Sequence, residues 1–196
     1  MARRKSLAFL DVGQGDCFVA DTKSGAIIFD GGSSSEDQVG RYRILPYMKY
    51  LGYQKIQIAV ISHMDIDHYS GIKELLEMGK IKYLGLPEIP KDETMKKIIG
   101  IAKKRGTTIF YLSRGRQITT KDGSLKVLHP QKNSQMEKNA ASLVMQGKIL
   151  GYRVLLTGDV EKEGEEELLS EELERADILK LSLIHISEPT RLALIS

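Results

Sequence analysis

Ile58-Ala59-Val60-Ile61-Ser62-His63-Met64-Asp65-Ile66-Asp67-His68 is the stretch whose reading decides the fold. Its four leading apolar residues read as the end of a buried strand. Two histidines and two aspartates then fall within six positions. A single aspartate there would be an ordinary helix cap, but four ligating side chains in so short a run point to metal. His63 and Asp65 are two apart and project to the same side of an extended segment. Asp67 and His68 are adjacent, at the turn into a helix expected to start near Ser70, and so face a different point. That division serves two metal ions rather than one. Imidazole and carboxylate together suit zinc, manganese or iron. With only Cys17 in the chain there is no multi-cysteine site, and the harder, oxygen-rich donor set admits manganese.

Two other apolar runs end in the same manner. Ala26–Phe29 leads into Asp30-Gly31-Gly32, and Val154-Leu155-Leu156-Thr157 leads into Gly158-Asp159. In α/β sheets, ligands collect beyond the carboxyl ends of strands. Asp159, after a glycine that permits close approach, is expected to bridge the metals. Two ions ~3.5–4 Å apart polarise a phosphoryl or carbonyl oxygen and activate water. Asp11 and Asp16 flank Gly13-Gln14-Gly15, a turn that either cradles an anion on its N–H groups or only tightens a hairpin. Cys17, beside the apolar Phe18–Ala20, reads as core.

Working outward, strands alternate with helices. Strands are expected at Leu7–Leu10, Cys17–Asp21, Ala26–Phe29, Ile56–Ile61, Ile81–Leu84, Thr108–Tyr111, Leu125–Leu128, Ser142–Gln146, Tyr152–Leu156 and Ala176–Lys180. Helices are expected at Arg41–Leu51, Gly71–Met78, Asp92–Lys104 and Glu161–Leu173. This is an α/β layer architecture. The 196 residues, 41% hydrophobic and 28% charged, suit one globular domain. A net charge of +3 does not by itself call for a nucleic-acid partner. No stretch reaches the ~18 apolar residues of a membrane span, and Ser6–Leu10 is too short for a signal-peptide core.

His63-x-Asp65-x-Asp67-His68 resembles the metallo-β-lactamase signature H-x-H-x-D-H, with Asp65 in place of the second histidine. Asp11-Val12-Gly13-Gln14-Gly15-Asp16, the histidine–aspartate string, Leu128-His129-Pro130, Asn139-Ala140-Ala141-Ser142 and Leu156-Thr157-Gly158-Asp159 follow one another as in the C-terminal domain of ComEC-type competence proteins. The resemblance covers roughly Leu7–Lys180 and implies an α/β fold, the metallo-β-lactamase αββα sandwich. By it, His63 and Asp65 hold one of two divalent ions, manganese or zinc, and Asp67 and His68 hold the other. Asp159 lies between them, and Asp67 and Asp159 are catalytic. Asp30 braces the metal loop. Asn139 stands near the place of a third-motif histidine, and His129 either lines the cleft or packs beside Pro130.

The resemblance also implies the activity: metal-dependent phosphodiester hydrolysis of one strand of an incoming DNA duplex during competence-related uptake. The domain would be joined to a membrane-channel domain of a parent protein, on the extracytoplasmic face of a bacterial cell membrane. Two alternatives remain open, a metallo-hydrolase of the same fold acting on a small substrate and a non-catalytic DNA-guiding module with a structural metal. Arg114, Arg116 and Lys103-Lys104-Arg105 are candidate phosphate contacts, although a solvated helix face is the safer reading of the last.

Relatives continue after Ala-Asp-x-Leu-Lys with a strand ending in His-His-Gly-Ser. Here Asp177-Ile178-Leu179-Lys180 meets a tail that resembles the translation of a sequencing adapter. The expectation is a truncated hydrolase domain over 1–180 with its C-terminal part incomplete, and a non-native segment over 181–196 in which His185 carries no information. On that expectation the chain as given is metal-poor, inactive and marginally stable.

Overall fold

The computed structural model of the protein describes residues 5–136, 138–161, 163–169 and 173–181. The described residues divide into two compact units, those of 5–86 with 91–111, and those of 87–90 with 112–181. Among the described residues, no helix is long and apolar enough to cross a membrane.

The first unit is built on a six-stranded sheet in sequence order, β1 (Ser6–Phe9), β2 (Phe18–Thr22), β3 (Gly25–Phe29), β4 (Ile56–Val60), β5 (Ile81–Pro87) and β6 (Thr108–Leu112). β1, β2 and β3 form an antiparallel meander. β3, β4 and β5 run parallel, so a crossover must separate each pair. The first crossover is a π-helical turn, Gly40–Ile44, running into α1 (Leu45–Tyr50); the second is α2 (Ile66–Glu77). α3 (Glu93–Lys104) precedes β6, and Asp92 caps it by accepting a hydrogen bond from Met95 N at 2.7 Å.

Patterning explains these helices. α2 buries His68, Gly71, Ile72, Leu75 and Leu76, the i, i+3, i+4, i+7, i+8 stripe of a helix laid on a core. Gly40, Ile44, Met48 and Leu51 form a matching buried stripe on the first crossover. The single helix expected over Arg41–Leu51 is therefore present, with a wider first turn. Pro46 has no N–H for the carbonyl of Tyr42, and Leu45 N bonds to Gly40 O instead, the i→i+5 spacing of a π-turn.

One expectation is corrected. The helix placed near Ser70 begins at Ile66, with Asp65 as its extended N-cap residue, so Asp67 and His68 belong to its first turn. Gly71 gave the appearance of a helix start. It sits inside the helix because a side chain there would meet Gly31 O at 2.6 Å and Gly40 N at 3.0 Å.

In the second unit five strands run in the order β11-β10-β9-β8-β7. They are β7 (Gln117–Thr120), β8 (Gly123–His129), β9 (Val144–Ile149), β10 (Tyr152–Leu156) and β11 (Ile178–Lys180). β7 to β10 form an antiparallel meander, and β11 joins β10 in parallel. The sequence reading missed β7, a four-residue edge strand with only Ile118 buried. α4 spans Glu163–Leu169 within the Glu161–Leu173 expected, of which residues 162 and 170–172 lie outside the described residues, and residues 173–176 carry no regular structure. Leu128, Val144, Leu155, Val160 and Leu168 form this unit's apolar core, with Leu179 and Leu181 packed against it. Beyond Leu181, the tail, including His185, lies outside the described residues.

Within the first unit, loops close on one another at backbone distance. A Cβ on Gly32 would lie 2.5 Å from Ile66 O and 2.7 Å from His68 N, while Gly100, inside α3, has open space around it. Gly32→Ala should therefore lower the unfolding free energy by about 2 kcal/mol or more. Gly100→Ala should raise it by ~0.5–1 kcal/mol by removing backbone freedom from the unfolded chain. Urea denaturation of both variants checks this, and equal effects of the same sign would show that the loops are not tightly apposed.

Candidate metal centre

Strand register sets the centre. β3 and β4 are aligned with Phe29 opposite Val60, and Asp30 N continues the ladder by donating to Val60 O at 2.8 Å. Asp30 then turns into the left-handed region, φ 57°, which an aspartate tolerates at some cost. The turn directs its fully buried carboxylate at Ser62. Oδ1 accepts from Ser62 N at 2.7 Å, and Oδ2 accepts from Ser62 Oγ at 2.9 Å. Oδ2 also lies 3.0 Å from His68 Nδ1.

These bonds assign the imidazole protons. A carboxylate only accepts, so His68 Nδ1 carries the proton it donates to Asp30. Ser62 Oγ spends its single proton on the same carboxylate and accepts from His63 Nδ1 at 3.0 Å. Both rings thus carry a proton on Nδ1 and turn Nε2 away from Asp30, leaving Nε2 as the atom through which a neutral imidazole would bind a metal. The ring centroids are 4.1 Å apart. The two rings therefore lie side by side, with His63 facing Asp65 and His68 facing Asp67, the pairing expected from the sequence.

Three carboxylates from the same unit surround the two Nε2 atoms. Asp65 Oδ2 lies 3.7 Å from His63 Nε2, while Asp67 Oδ2 and Asp16 Oδ2 each lie 3.8 Å from His68 Nε2. These separations are too long for hydrogen bonds but within reach of two metal–ligand bonds of about 2 Å each. His63 Nε2 is buried with no hydrogen-bond partner among the described residues. A buried lone pair left without a donor is costly, and a divalent cation would satisfy it. The donor set therefore fits a metal.

Backbone bonds hold the three loops in place. Asp16 N donates to Asp67 O at 3.1 Å, Gly32 N to Asp16 O at 3.2 Å and Gly31 N to His68 O at 2.8 Å. Asp16 is thereby brought to the histidines, whereas Asp11 is not. The exposed Asp11 accepts from Gly13 N at 3.1 Å, and Gln14 N donates to Ser35 Oγ at 2.8 Å. With two of its N–H groups engaged internally, the Gly13-Gln14-Gly15 segment is a structural turn rather than an anion cradle. Cys17 is buried, and burial, with Asp30 and Asp16 nearby, pushes its thiol well above the usual range, as suits a core residue.

The remaining candidates lie in the second unit. Asp159 is buried and follows β10 through Thr157 and Gly158; Gly158 has φ 54°. Asn139 sits on a 3-10 turn, Lys138–Ala141, and its Oδ1 is buried with no hydrogen-bond partner among the described residues. His129 is fully buried, with Nε2 2.7 Å from Ala140 O and Nδ1 3.3 Å from Glu167 Oε2. Burial holds its pKa below the usual value, so it packs as a neutral ring rather than lining a solvent-filled cleft. Arg114 donates to Leu128 O and to Glu167, and Arg116 faces Glu88 at 3.7 Å. Both are engaged within the unit. Lys103 and Lys104 end α3 and Arg105 caps it, all three exposed, where cations complement the helix dipole. Ser62 is the functional residue to which the sequence assigned no role; its signal is its place between a strand end and His63.

Comparison with known proteins bears on this site. The profile of the Metallo-beta-lactamase superfamily matches residues 10–194. The chain is similar to the ComE operon protein 3 of Bacillus subtilis (strain 168), 32% identical over 191 residues, 88% of this chain and 24% of that protein. It is also similar to the competence protein ComA of Neisseria gonorrhoeae, 28% identical over 167 residues, 81% of this chain and 20% of that protein. The chain thus spans about a quarter or less of the length of these relatives. Among solved structures it is similar to the class B3 di-zinc metallo-β-lactamase LRA-12 from an Alaskan soil metagenome. The TM-score is 0.56 at 18% identity, covering 93% of this chain and 77% of that one. This shared mixed α/β fold with two sheets is the one the sequence led us to expect.

Asp30→Asn isolates the role of the buried carboxylate, because asparagine also tolerates the left-handed backbone. An amide cannot accept from Ser62 N, Ser62 Oγ and His68 Nδ1 together. Zinc or manganese affinity should fall ~10–100-fold, read by competition with a chromogenic chelator. Unchanged affinity would show that Asp30 does not orient the histidines.

Proposed function

Because the chain belongs to the metallo-beta-lactamase superfamily of metal-dependent hydrolases, we propose that it is a phosphodiesterase acting on a DNA strand. The observation that carries this reading is the pair of imidazoles, His63 and His68, with their Nε2 atoms turned toward Asp65, Asp67 and Asp16. The names of its relatives, a ComE operon protein and a competence protein, support DNA uptake as the setting.

In this proposal His63, Asp65, Asp67, His68 and Asp159 hold two divalent ions, manganese or zinc. When bound, such ions supply Lewis acidity toward a phosphoryl oxygen and acidify water. The protein's own groups do the rest. Asp30, through Ser62 and His68, keeps both Nε2 lone pairs available. Asp67, in the first turn of α2 and about a third exposed at 32%, accepts a proton from the attacking water. Asp159 is assigned by its motif at the end of β10, the same kind of place that Asp30 and Ser62 occupy after β3 and β4. As a carboxylate it neutralises charge that an amide could not. The remainder of the parent protein would supply a membrane channel as partner, with the domain on the extracytoplasmic face.

The test is hydrolysis of labelled single-stranded DNA with manganese or zinc. It would use this chain and a version extended by the family's His-His-Gly-Ser strand, each with and without Asp67→Ala, beside a small phosphodiester and a lactam. DNA cleavage by either version, reduced at least a hundredfold by Asp67→Ala, is the expected outcome. Cleavage of only the small substrates, or of nothing by both versions, would overturn the reading.

A further inference from the structure

The first crossover of the first unit carries a feature that the metal centre does not use. From Gln38 to Lys55 the sequence holds four cations, Arg41, Arg43, Lys49 and Lys55, and no carboxylate. The same segment holds Tyr42, Tyr47, Tyr50 and Tyr53, half of the protein's eight tyrosines. Its apolar residues Ile44, Met48 and Leu51 are turned into the core, so the tyrosines and cations are left outside. Tyr42 is 63% exposed and Tyr50 78%. Arg43, Tyr47 and Tyr50 are spaced i, i+4, i+7 along one face, with Tyr42, Pro46 and Lys49 beside them. The rings of Tyr47 and Tyr50 are stacked, 6.1 Å apart and 29° from parallel. At the far end lies a recess of about 330 Å³ lined in part by Lys49, Tyr53, Gln54 and Lys80. Tyr53 is fixed there because its hydroxyl donates to the buried Asp21 at 2.5 Å.

We infer that this face is a docking track for single-stranded nucleic acid, with the recess taking a nucleotide at its outer end. Aromatic rings offer every base a stacking partner, and interleaved cations meet the backbone phosphates. Among the described residues the guanidinium of Arg41 reaches only Gln38, at 3.4 Å, and the pairing of Arg43 with Glu36 at 3.8 Å is an exposed one. Such interactions yield readily to a phosphate. An anionic membrane would also attract these charges, but docking there needs an apolar face to insert, and the apolar stripe of this helix is buried.

The track has a definite relation to the metal centre, because both belong to one unit. Gly40, at its start, packs on Gly71 of α2, and the first turn of α2 carries Asp67 and His68. Lys80, in the recess, follows the other end of α2. Twelve residues of helix at 1.5 Å each span ~18 Å, room for at most about five nucleotides at 3.4 Å or more apiece. The inference rests on the reading of this chain as a DNA-acting hydrolase and names the surface that would hold the strand.

Fluorescence anisotropy with labelled oligothymidylate in EDTA tests it in the full chain. Ten nucleotides should bind far more tightly than three. Tyr42→Ala with Tyr50→Ala should weaken the longer oligonucleotide at least fivefold. Arg43→Gln with Lys49→Gln should do the same and flatten the salt dependence, by roughly 0.7 in slope for each phosphate no longer neutralised. All four positions are exposed or at the helix surface, and thermal melts of both pairs confirm folding. Unchanged affinity in both pairs would overturn the inference. So would binding to phosphatidylglycerol vesicles, sensitive to these substitutions, with no binding of oligonucleotide. Because EDTA removes divalent ions, binding and turnover are read separately. Loss of binding in the variants with no wild-type hydrolysis sinks the hydrolase and keeps the track; hydrolysis with unchanged binding does the reverse.

Discussion

The buried carboxylate of Asp30 is the constraint on which the rest of the site depends. It accepts from Ser62 N and Ser62 Oγ and bonds to His68 Nδ1, and through Ser62 Oγ it reaches His63 Nδ1. A charge in a fully buried position is unfavourable unless its lone pairs are met by donors. Here the donors are the same groups whose orientation the site requires. Satisfying Asp30 and presenting two Nε2 lone pairs to a cation are one arrangement, and neither side of it can relax independently.

That arrangement places demands on the backbone. The register of β3 against β4 puts Asp30 beside Ser62, and the positive φ of Asp30 turns its side chain inward. The loops at 13–16, 30–33 and 62–68 must then approach within main-chain hydrogen-bonding distance. Gly32 allows this, since any side chain there would collide with the first turn of α2. α2 itself is held by a buried stripe, apolar except for His68. The helix that stabilises the unit is therefore also the one that aims His68, a candidate metal ligand.

Much of this was legible in the sequence, and the exceptions have physical reasons. Ala26–Phe29, Ile58–Ile61 and Val154–Leu156 are continuous apolar runs ending in polar clusters, and each lies in or at the end of a strand whose end carries a candidate group. The start of α2 was misread because Gly71 weakens local helix propensity, while its reason, close approach to Gly31, is tertiary. β7 escaped because an edge strand with one buried residue has almost no apolar pattern. Ser62 escaped for a different reason: a serine after a strand is commonplace, and only the orientation of Asp30 gives it a function.

The account's central claim is that His63 and His68, oriented from behind by Asp30, hold metal through Nε2. Elemental analysis of the zinc- or manganese-loaded protein after gel filtration, for the wild type and for His63→Ala with His68→Ala, tests it most directly. The account predicts bound metal in the wild type and almost none in the double variant. Equal metal content in the two proteins would contradict it.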